Sequence, residues 1–475
     1  MSTDPHHPTT ESDDAPGGAG EARRDAAPVG DLVPFRTALR VWFLVSLQTF
    51  GGPAGQIAVM QRTLVEERRW IGQQRFNHAL NYCMLLPGPE AQQLAIYLGW
   101  LLNGTRGGIA AGTLFVLPGI LALGALSAIY VAFGDTTAVT ATFAGLAPAV
   151  LAIVAQAVLR VAKRSLTHPA LITLAVAAFA ALALFAVPFP LVIALAALVG
   201  WLLSRRDPDF ARPARVGDAA DGPAPLISDE ALHHDRPTAS RFTRILAIGL
   251  GLWAAPVAVV ALLLGSESIF TTQGLFFSLT AVVTFGGAYA VLSFIAQQAV
   301  QTFGWLAPGE MVRGLALAET TPGPLIMVVQ FVAFLAAYRD PGTLDPWAAA
   351  TLGALLTTWV TFVPCFLFIL LGAPYVERLR HNTAISAALT GITAAVVGVI
   401  ANLALYFALN TLFTTTGTWD WGPLHITVPE VASVSPVAVV ITLIALMLTF
   451  ALRWPILRVL GVCAALGLAS TLLPL

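Results

Sequence analysis

The sequence predicts an all-α polytopic membrane protein of two inverted-topology repeats with broken or re-entrant helices, about 13 membrane segments in all. Three observations predict it. First, 57% of the residues are hydrophobic and 11% charged, with a mean hydropathy of +0.78, and apolar runs long enough to cross a bilayer recur along the chain. Second, the stretch from Phe50-Gly51-Gly52 to Pro87-Gly88-Pro89 returns as Phe285-Gly286-Gly287 to Pro322-Gly323-Pro324. Phe50/Phe285, Trp70/Trp305 and Pro87/Pro322 are each 235 positions apart. Past an insertion at Arg339-Asp340-Pro341-Gly342, Pro118/Pro364 and Gly145/Gly391 are both 246 apart. Third, one extra apolar segment separates two six-segment copies, and an odd crossing turns the second copy over.

In chain order, residues 1–34 are rich in Pro, Gly, Asp and Ala and have no apolar core of a signal peptide, so they read as a disordered tail. His6-His7 in it reads as a solvated pair. The first repeat, 35–204, has apolar segments at roughly 35–60, 76–103, 107–133, 138–163, 169–186 and 188–204. A polar linker, 205–241, follows, with repeated Asp and Pro and a His233-His234 pair. A connecting helix, 242–264, leads to the second repeat, 265–475, with segments at roughly 269–296, 311–338, 346–373, 384–411, 435–451 and 454–474.

The net charge of −1 says nothing about partners, because in a membrane protein the location of positive charge matters. Clusters at Arg62/Arg68/Arg69/Arg75, Arg160/Lys163/Arg164, Arg205/Arg206 and Arg378/Arg380 should face the cytoplasm. The connections 134–137, 187–188, 265–270, 297–310 and 412–434 contain no Lys or Arg and should face outside. The N-terminus and linker are then cytoplasmic. A fully crossing 35–60 segment would strand the four arginines of the next connection outside, a clash that re-entrant segments remove.

Pro-Gly-Pro inside an apolar run cannot continue a helix, since each proline lacks an N–H and crowds the preceding turn. Open backbone in hydrocarbon costs several kcal/mol per orphan group unless protein or a water-filled cavity satisfies it. Leu86–Glu90 and Thr321–Leu325 should therefore border a cavity, with Pro89 and Pro324 as the first residues of new helices. Two helix N-termini converging near the midplane suit a small tetrahedral oxyanion. A single such break would read as a kink; its duplication argues for a site.

The binding candidates follow from those breaks. They are Pro87, Gly88, Pro89 and Glu90 with Gln92 and Gln93 one turn on, and Thr321, Pro322, Gly323 and Pro324 in the second copy. Gly51, Gly52, Gly286 and Gly287 would let the preceding segments pack on the breaks or unwind beside them, and helix packing competes with that role. Glu90 and Glu319 are intramembrane carboxylates beside the breaks and are candidates for proton coupling, with a helix cap as the competing role for Glu90. Gln56, Gln297, Gln298 and Gln330 are weaker candidates, as is Arg313, and Gln156/Asn402 form a matched amide pair. Trp70 and Trp305 read as interfacial anchors. Cys83, Cys365 and Cys463 sit singly in apolar segments as packing residues. No metal-ligand cluster, nucleotide loop or nucleophile–base set is present, so neither an enzyme nor a cofactor is expected. The lipid bilayer is the expected surrounding, nucleic acid is not a partner, and a homo-oligomer is compatible.

At these residues the chain resembles the chromate ion transporter family in its long form with two homologous halves. The resemblance rests on Phe50-Gly51-Gly52-Pro53, Arg69-Trp70-Ile71, Leu86-Pro87-Gly88-Pro89-Glu90-Ala91-Gln92-Gln93, Phe115-Val116-Leu117-Pro118-Gly119 and Thr321-Pro322-Gly323-Pro324. It implies secondary export of chromate across the inner membrane, chromate resistance, and antiparallel halves, with sulfate as a related anion. A carrier for sulfate or another oxyanion, or an anion channel, is the alternative. The chain departs from the family's pattern at Gln56, where many members carry histidine, and the second copy has Ala288 for Pro53 and Leu325 for Glu90.

Overall fold

The computed structural model describes residues 32–206, 225–227, 238–285, 288–373 and 383–471. The tail with His6-His7, most of the linker with His233-His234, Gly286-Gly287 and Arg378/Arg380 lie outside the described residues.

The first apolar segment is broken. Helix α1 (Phe35–Ser46) stops before Phe-Gly-Gly, and α2 (Gly52–Gln61) starts inside it. Gly51 and Gly52 take φ of +80° and +72°, a region costly to any residue with a Cβ. Pro53 sits in the first turn of α2, where no backbone donor is needed. After a π turn, Arg62–Glu67, come α3 (Gln73–Cys83) and α4 (Glu90–Phe133), which flank the first Pro-Gly-Pro. Pro89 and Pro324 are helix N-caps, one position earlier than expected. Their extended ψ places them outside the helical turn that follows.

Helix α4 reverses at Asn103 and Gly104, whose dihedrals are non-helical. Gly99 and Gly107 then meet backbone to backbone across the fold, an approach that a Cβ on either would block. Tyr82 before the first break and Tyr97 after it have ring centroids 5.5 Å apart. The chain therefore folds back at Pro-Gly-Pro as a helical hairpin. The half continues through α5 (Thr137–Ser165), α6 (Pro169–Phe185) and α7 (Phe189–Arg206).

Helix α8 (Ala239–Leu264) starts at Thr238, whose hydroxyl accepts from the Arg241 N–H. It is pinned to α13 (Pro346–Gly372) by two mutual indole bonds, Trp253 Nε1 to Val360 O (3.1 Å) and Trp359 Nε1 to Leu252 O (2.7 Å). Between them lie α9 (Ile269–Val283), α10 (Ala288–Gln297), α11 (Glu310–Thr320), a 3₁₀ turn at Leu325–Met327 and α12 (Val328–Arg339). Asp345 caps α13 by accepting from the N–H groups of Trp347 and Ala348, with Pro346 in the first turn. The chain ends with α14 (Thr383–Leu412), α15 (Pro436–Leu446) and α16 (Ile456–Ser470).

Each half seals the other. Gly145 of α5 lies against Gly467 of α16, and Gly391 of α14 lies against Gly200 of α7, both as direct backbone contacts. In hydrocarbon such small-residue crossings replace the hydrophobic driving force that water would supply. Six described helices (α4, α5, α7, α8, α13 and α14) are long and apolar enough to cross a membrane, and five other apolar helices are shorter. One element is not helical. The connection 412–434 carries an antiparallel pair, β1 (Thr416–Trp421) and β2 (Leu424–Pro429), turned at Gly422-Pro423 with Gly422 at φ +60°.

The second hairpin is clasped at its base. Arg339, ending α12, donates to both carboxylate oxygens of Glu310, which opens α11, at 2.8 and 2.7 Å. Tyr130, near the end of α4, donates to Glu310 Oε1 at 3.1 Å, and Arg313 donates to the Tyr130 hydroxyl at 3.0 Å. Arg313 thus serves the hairpin base and lies away from the breaks. Trp305, expected at an interface, is buried at 7% exposure and stacks on Phe303 with centroids 4.3 Å apart. Because Glu310 is buried and Arg339 half exposed, Arg339→Met is expected to cost about 1–3 kcal/mol by leaving a carboxylate short of its donors. Thermal unfolding in detergent measures this; an unchanged midpoint would make the clasp energetically idle.

Candidate functional site

The tip of each hairpin exposes backbone donors that its own helices cannot use. In this fold the other half uses them. The Gly88 N–H donates to Thr284 O at 2.7 Å, and the Gly323 N–H donates to Thr49 O at 3.1 Å. Gly88/Gly323 and Thr49/Thr284 are both pairs at the 235 spacing, so one contact is made twice, with the halves exchanged. Each Pro-Gly-Pro glycine therefore meets the residue just before the opposite Phe-Gly-Gly.

The long helices repeat the exchange. Gly119 of α4 lies against Pro322 and Gly323, and Cys365 of α13 lies against Gly88; Gly119 and Cys365 are 246 apart. Gly88 and Gly323 adopt φ of +115° and +120°, which only glycine takes without strain.

Side chains close the site further. Gln56 Nε2 donates to Gly323 O at 2.5 Å, and Gln93 Nε2 donates to Pro87 O at 2.6 Å. The structure thus gathers Pro87, Gly88 and Gln93 with Thr284 and Cys365 at the first break, and Pro322 and Gly323 with Thr49, Gln56 and Gly119 at the second. Gln92 is fully buried, yet neither of its amide atoms has a partner in the chain, and Gln93 Oε1 has none either. An orphaned buried amide costs about 1–3 kcal/mol and asks for a ligand or another explanation. Thr321 is buried with its hydroxyl spent on Ala318 O at 3.1 Å. Gly51 abuts Ile456 of α16, and Gly286 and Gly287 are outside the described residues.

The two carboxylates differ. Glu90 opens α4 in a partly exposed position, and its charge interacts with that of Arg164 on α5. The Arg164 guanidinium also lies 3.1 Å from Met84 Sδ, at the first break. Glu319 is 1% exposed; Tyr289 donates to its Oε1 at 2.6 Å, and its Oε2 has no partner in the chain. Arg160, one turn before Arg164, acts electrostatically on both Glu319 and Tyr289.

Several of these residues escaped the sequence reading. Thr49/Thr284 were legible, since both directly precede a duplicated motif. Tyr289 has no first-half counterpart, because position 54 is alanine, so the repeat gave no hint of it. Arg160 and Arg164 read as topology signals because their approach to the breaks depends on tertiary packing. The matched amides go elsewhere: Gln156 accepts from Arg160 at 2.9 Å and Asn402 donates to Ser293 at 3.4 Å. Gln330 joins the halves instead, donating to Ile120 O at 2.9 Å.

The family model described as "Chromate transporter" matches residues 37–201 and 271–468. The chain belongs to the chromate transporter family. Its relatives include a chromate transport protein of Pseudomonas aeruginosa, 33% identical over 393 residues, covering 81% of this chain and 83% of the relative. A chromate transport protein of Cupriavidus metallidurans is 29% identical over 363 residues, 76% of this chain and 80% of that one. A probable chromate transport protein of Synechococcus elongatus is 28% identical over 366 residues, covering 76% and 82%. No solved structure matches. For this member of the chromate transporter family, the apolar helices and the family together establish a membrane-embedded, multi-pass protein.

Proposed function

We propose that the protein is a secondary transporter that exports chromate from the cytoplasm across the inner membrane and so confers chromate resistance. The observation that carries this reading is the exchanged pair of contacts, Gly88 to Thr284 and Gly323 to Thr49, which ties each hairpin tip to the opposite half. Those tips start α4 and the 3₁₀ turn leading into α12, and in this reading their two sets of helix-start donors serve one anion. Gln92 supplies an unspent amide there. A tetrahedral dianion fits donors of this kind without a metal or another cofactor, and the relatives named above are chromate transport proteins.

In this reading the halves are inverted repeats whose hairpins enter from opposite membrane faces. Supporting it, Tyr130, one crossing beyond the first hairpin, reaches the base of the second, and the Tyr82 hydroxyl reaches Phe368 O near the end of α13 at 3.5 Å. Alternating access then rocks one half against the other around the breaks. The tail and linker are cytoplasmic, and Arg160, Lys163 and Arg164 line the cytoplasmic approach. A dianion leaving a negative-inside cell gains about 2.3 kcal/mol per charge per 100 mV, so export needs no ATP. Glu90 and Glu319 are the two candidates for proton coupling in this reading.

Cells with and without the protein are compared for chromate accumulation, with excess sulfate and after collapse of the membrane potential. Lower accumulation that disappears on depolarisation is the expected result, and sulfate competition would place both anions at one site. Equal or higher accumulation would overturn export. Flux that rises linearly with chromate would replace the carrier by a channel.

A further inference from the structure

Glu319 stands apart from every other carboxylate in the described structure. It is buried at 1% exposure two residues before the second break, and only one of its oxygens is hydrogen-bonded. Its partner Tyr289 is the second residue of α10, and a Cβ placed on Gly52 would stand 3.5 Å from the Tyr289 hydroxyl. The pair therefore connects the second break to the first Phe-Gly-Gly turn and to the start of α10. Among the described residues, the titratable and charged groups acting on Glu319 are Tyr289 from α10 and Arg160 from α5. Packing from α4, α12 and α16 adds none.

An ionised carboxylate and a bound dianion repel each other in a site with so little water. Arg160 is exposed and solvated, and so offsets little of that repulsion. A proton on the carboxylate removes it. Oε2 is the atom that can take the proton, because Oε1 already accepts from Tyr289. We propose that Glu319 takes up one proton on Oε2 when an oxyanion occupies the site between the breaks, so that proton and oxyanion are bound and carried together. This rests on the oxyanion site proposed above. The proton comes from solvent on the side where the anion enters and returns to solvent where it leaves. Oxyanion and proton strengthen each other's binding by the same factor. A dianion carried with one proton still bears net negative charge, so the membrane potential continues to favour its exit.

The test is proton uptake by the purified full-length protein in weakly buffered detergent solution, read with a pH indicator as chromate is added. Mildly alkaline pH is used, where chromate itself is a dianion with no proton to exchange. The wild type is expected to take up about one proton per chromate bound, with chromate affinity falling as pH rises. Glu319→Gln is expected to bind chromate with no uptake and with an affinity independent of pH. Tyr289→Phe is expected to keep the uptake and shift its pH midpoint. Chromate binding by the wild type without proton uptake, or undiminished uptake by Glu319→Gln, overturns the proposal and leaves the oxyanion site standing. If Glu319→Gln does not fold, an unshifted midpoint in Tyr289→Phe overturns it. A wild type with no saturable chromate binding overturns the oxyanion site, and this inference with it.

Discussion

Gly323→Leu is expected to abolish transport while the protein still reaches the membrane in normal amount, and Gly88→Leu is expected to do the same. Both glycines hold φ values near +120°, where a side chain costs about 1–3 kcal/mol of backbone strain. The larger effect is displacement. A Cβ on Gly323 would stand 3.2 Å from the Gly119 Cα, and one on Gly88 would stand 3.1 Å from Cys365 Sγ. The remaining leucine carbons have no room unless the hairpin tip withdraws. Withdrawal breaks the bonds to Thr49 or Thr284 and separates the two helix starts. Insertion depends on the long apolar helices, whose composition neither substitution changes. Pro87→Ala should act in the same direction, because an added N–H lets α3 run on through the break. Chromate transport is measured beside the amount of protein in the membrane fraction. Normal transport in both leucine variants would remove the breaks from the mechanism.

Gln92→Met is expected to move stability and function in opposite directions. Neither atom of the wild-type amide has a partner although the side chain is fully buried. A methionine of similar length removes that burden and should stabilise the resting protein by about 1–3 kcal/mol. If the amide donates to the oxyanion, its loss should weaken chromate binding at least about tenfold. Thermal unfolding without chromate and equilibrium binding with it give the two readings. A less stable protein with unchanged affinity would make Gln92 a structural residue.

Much of this arrangement was legible in the sequence because duplication is a strong signal. Pro-Gly-Pro cannot be helical, so the two helix breaks could be read directly from Pro87–Pro89 and Pro322–Pro324. The pairing of the tips was not legible. It depends on which residue of the other half accepts from Gly88, and no local propensity encodes a contact between positions 88 and 284. The same holds for Gly145 on Gly467 and Gly200 on Gly391, where each glycine alone reads as ordinary membrane-helix composition. Trp305 was misplaced because its position after a polar connection resembles an interfacial anchor, while ring contacts with Phe276, Phe277 and Phe303 draw it into the core. The β1–β2 pair lay in a stretch read as a connection, since its alternation is short and exposed on both faces.

The central claim is that the two breaks form one oxyanion site, and the stoichiometry of chromate binding to the purified protein tests it most directly. Equilibrium dialysis should give one saturable site per chain, lost in Gly88→Leu and lost equally in Gly323→Leu, because each glycine holds the tip that the other half completes. Two independent sites, or a single site that survives either substitution at full affinity, would contradict it.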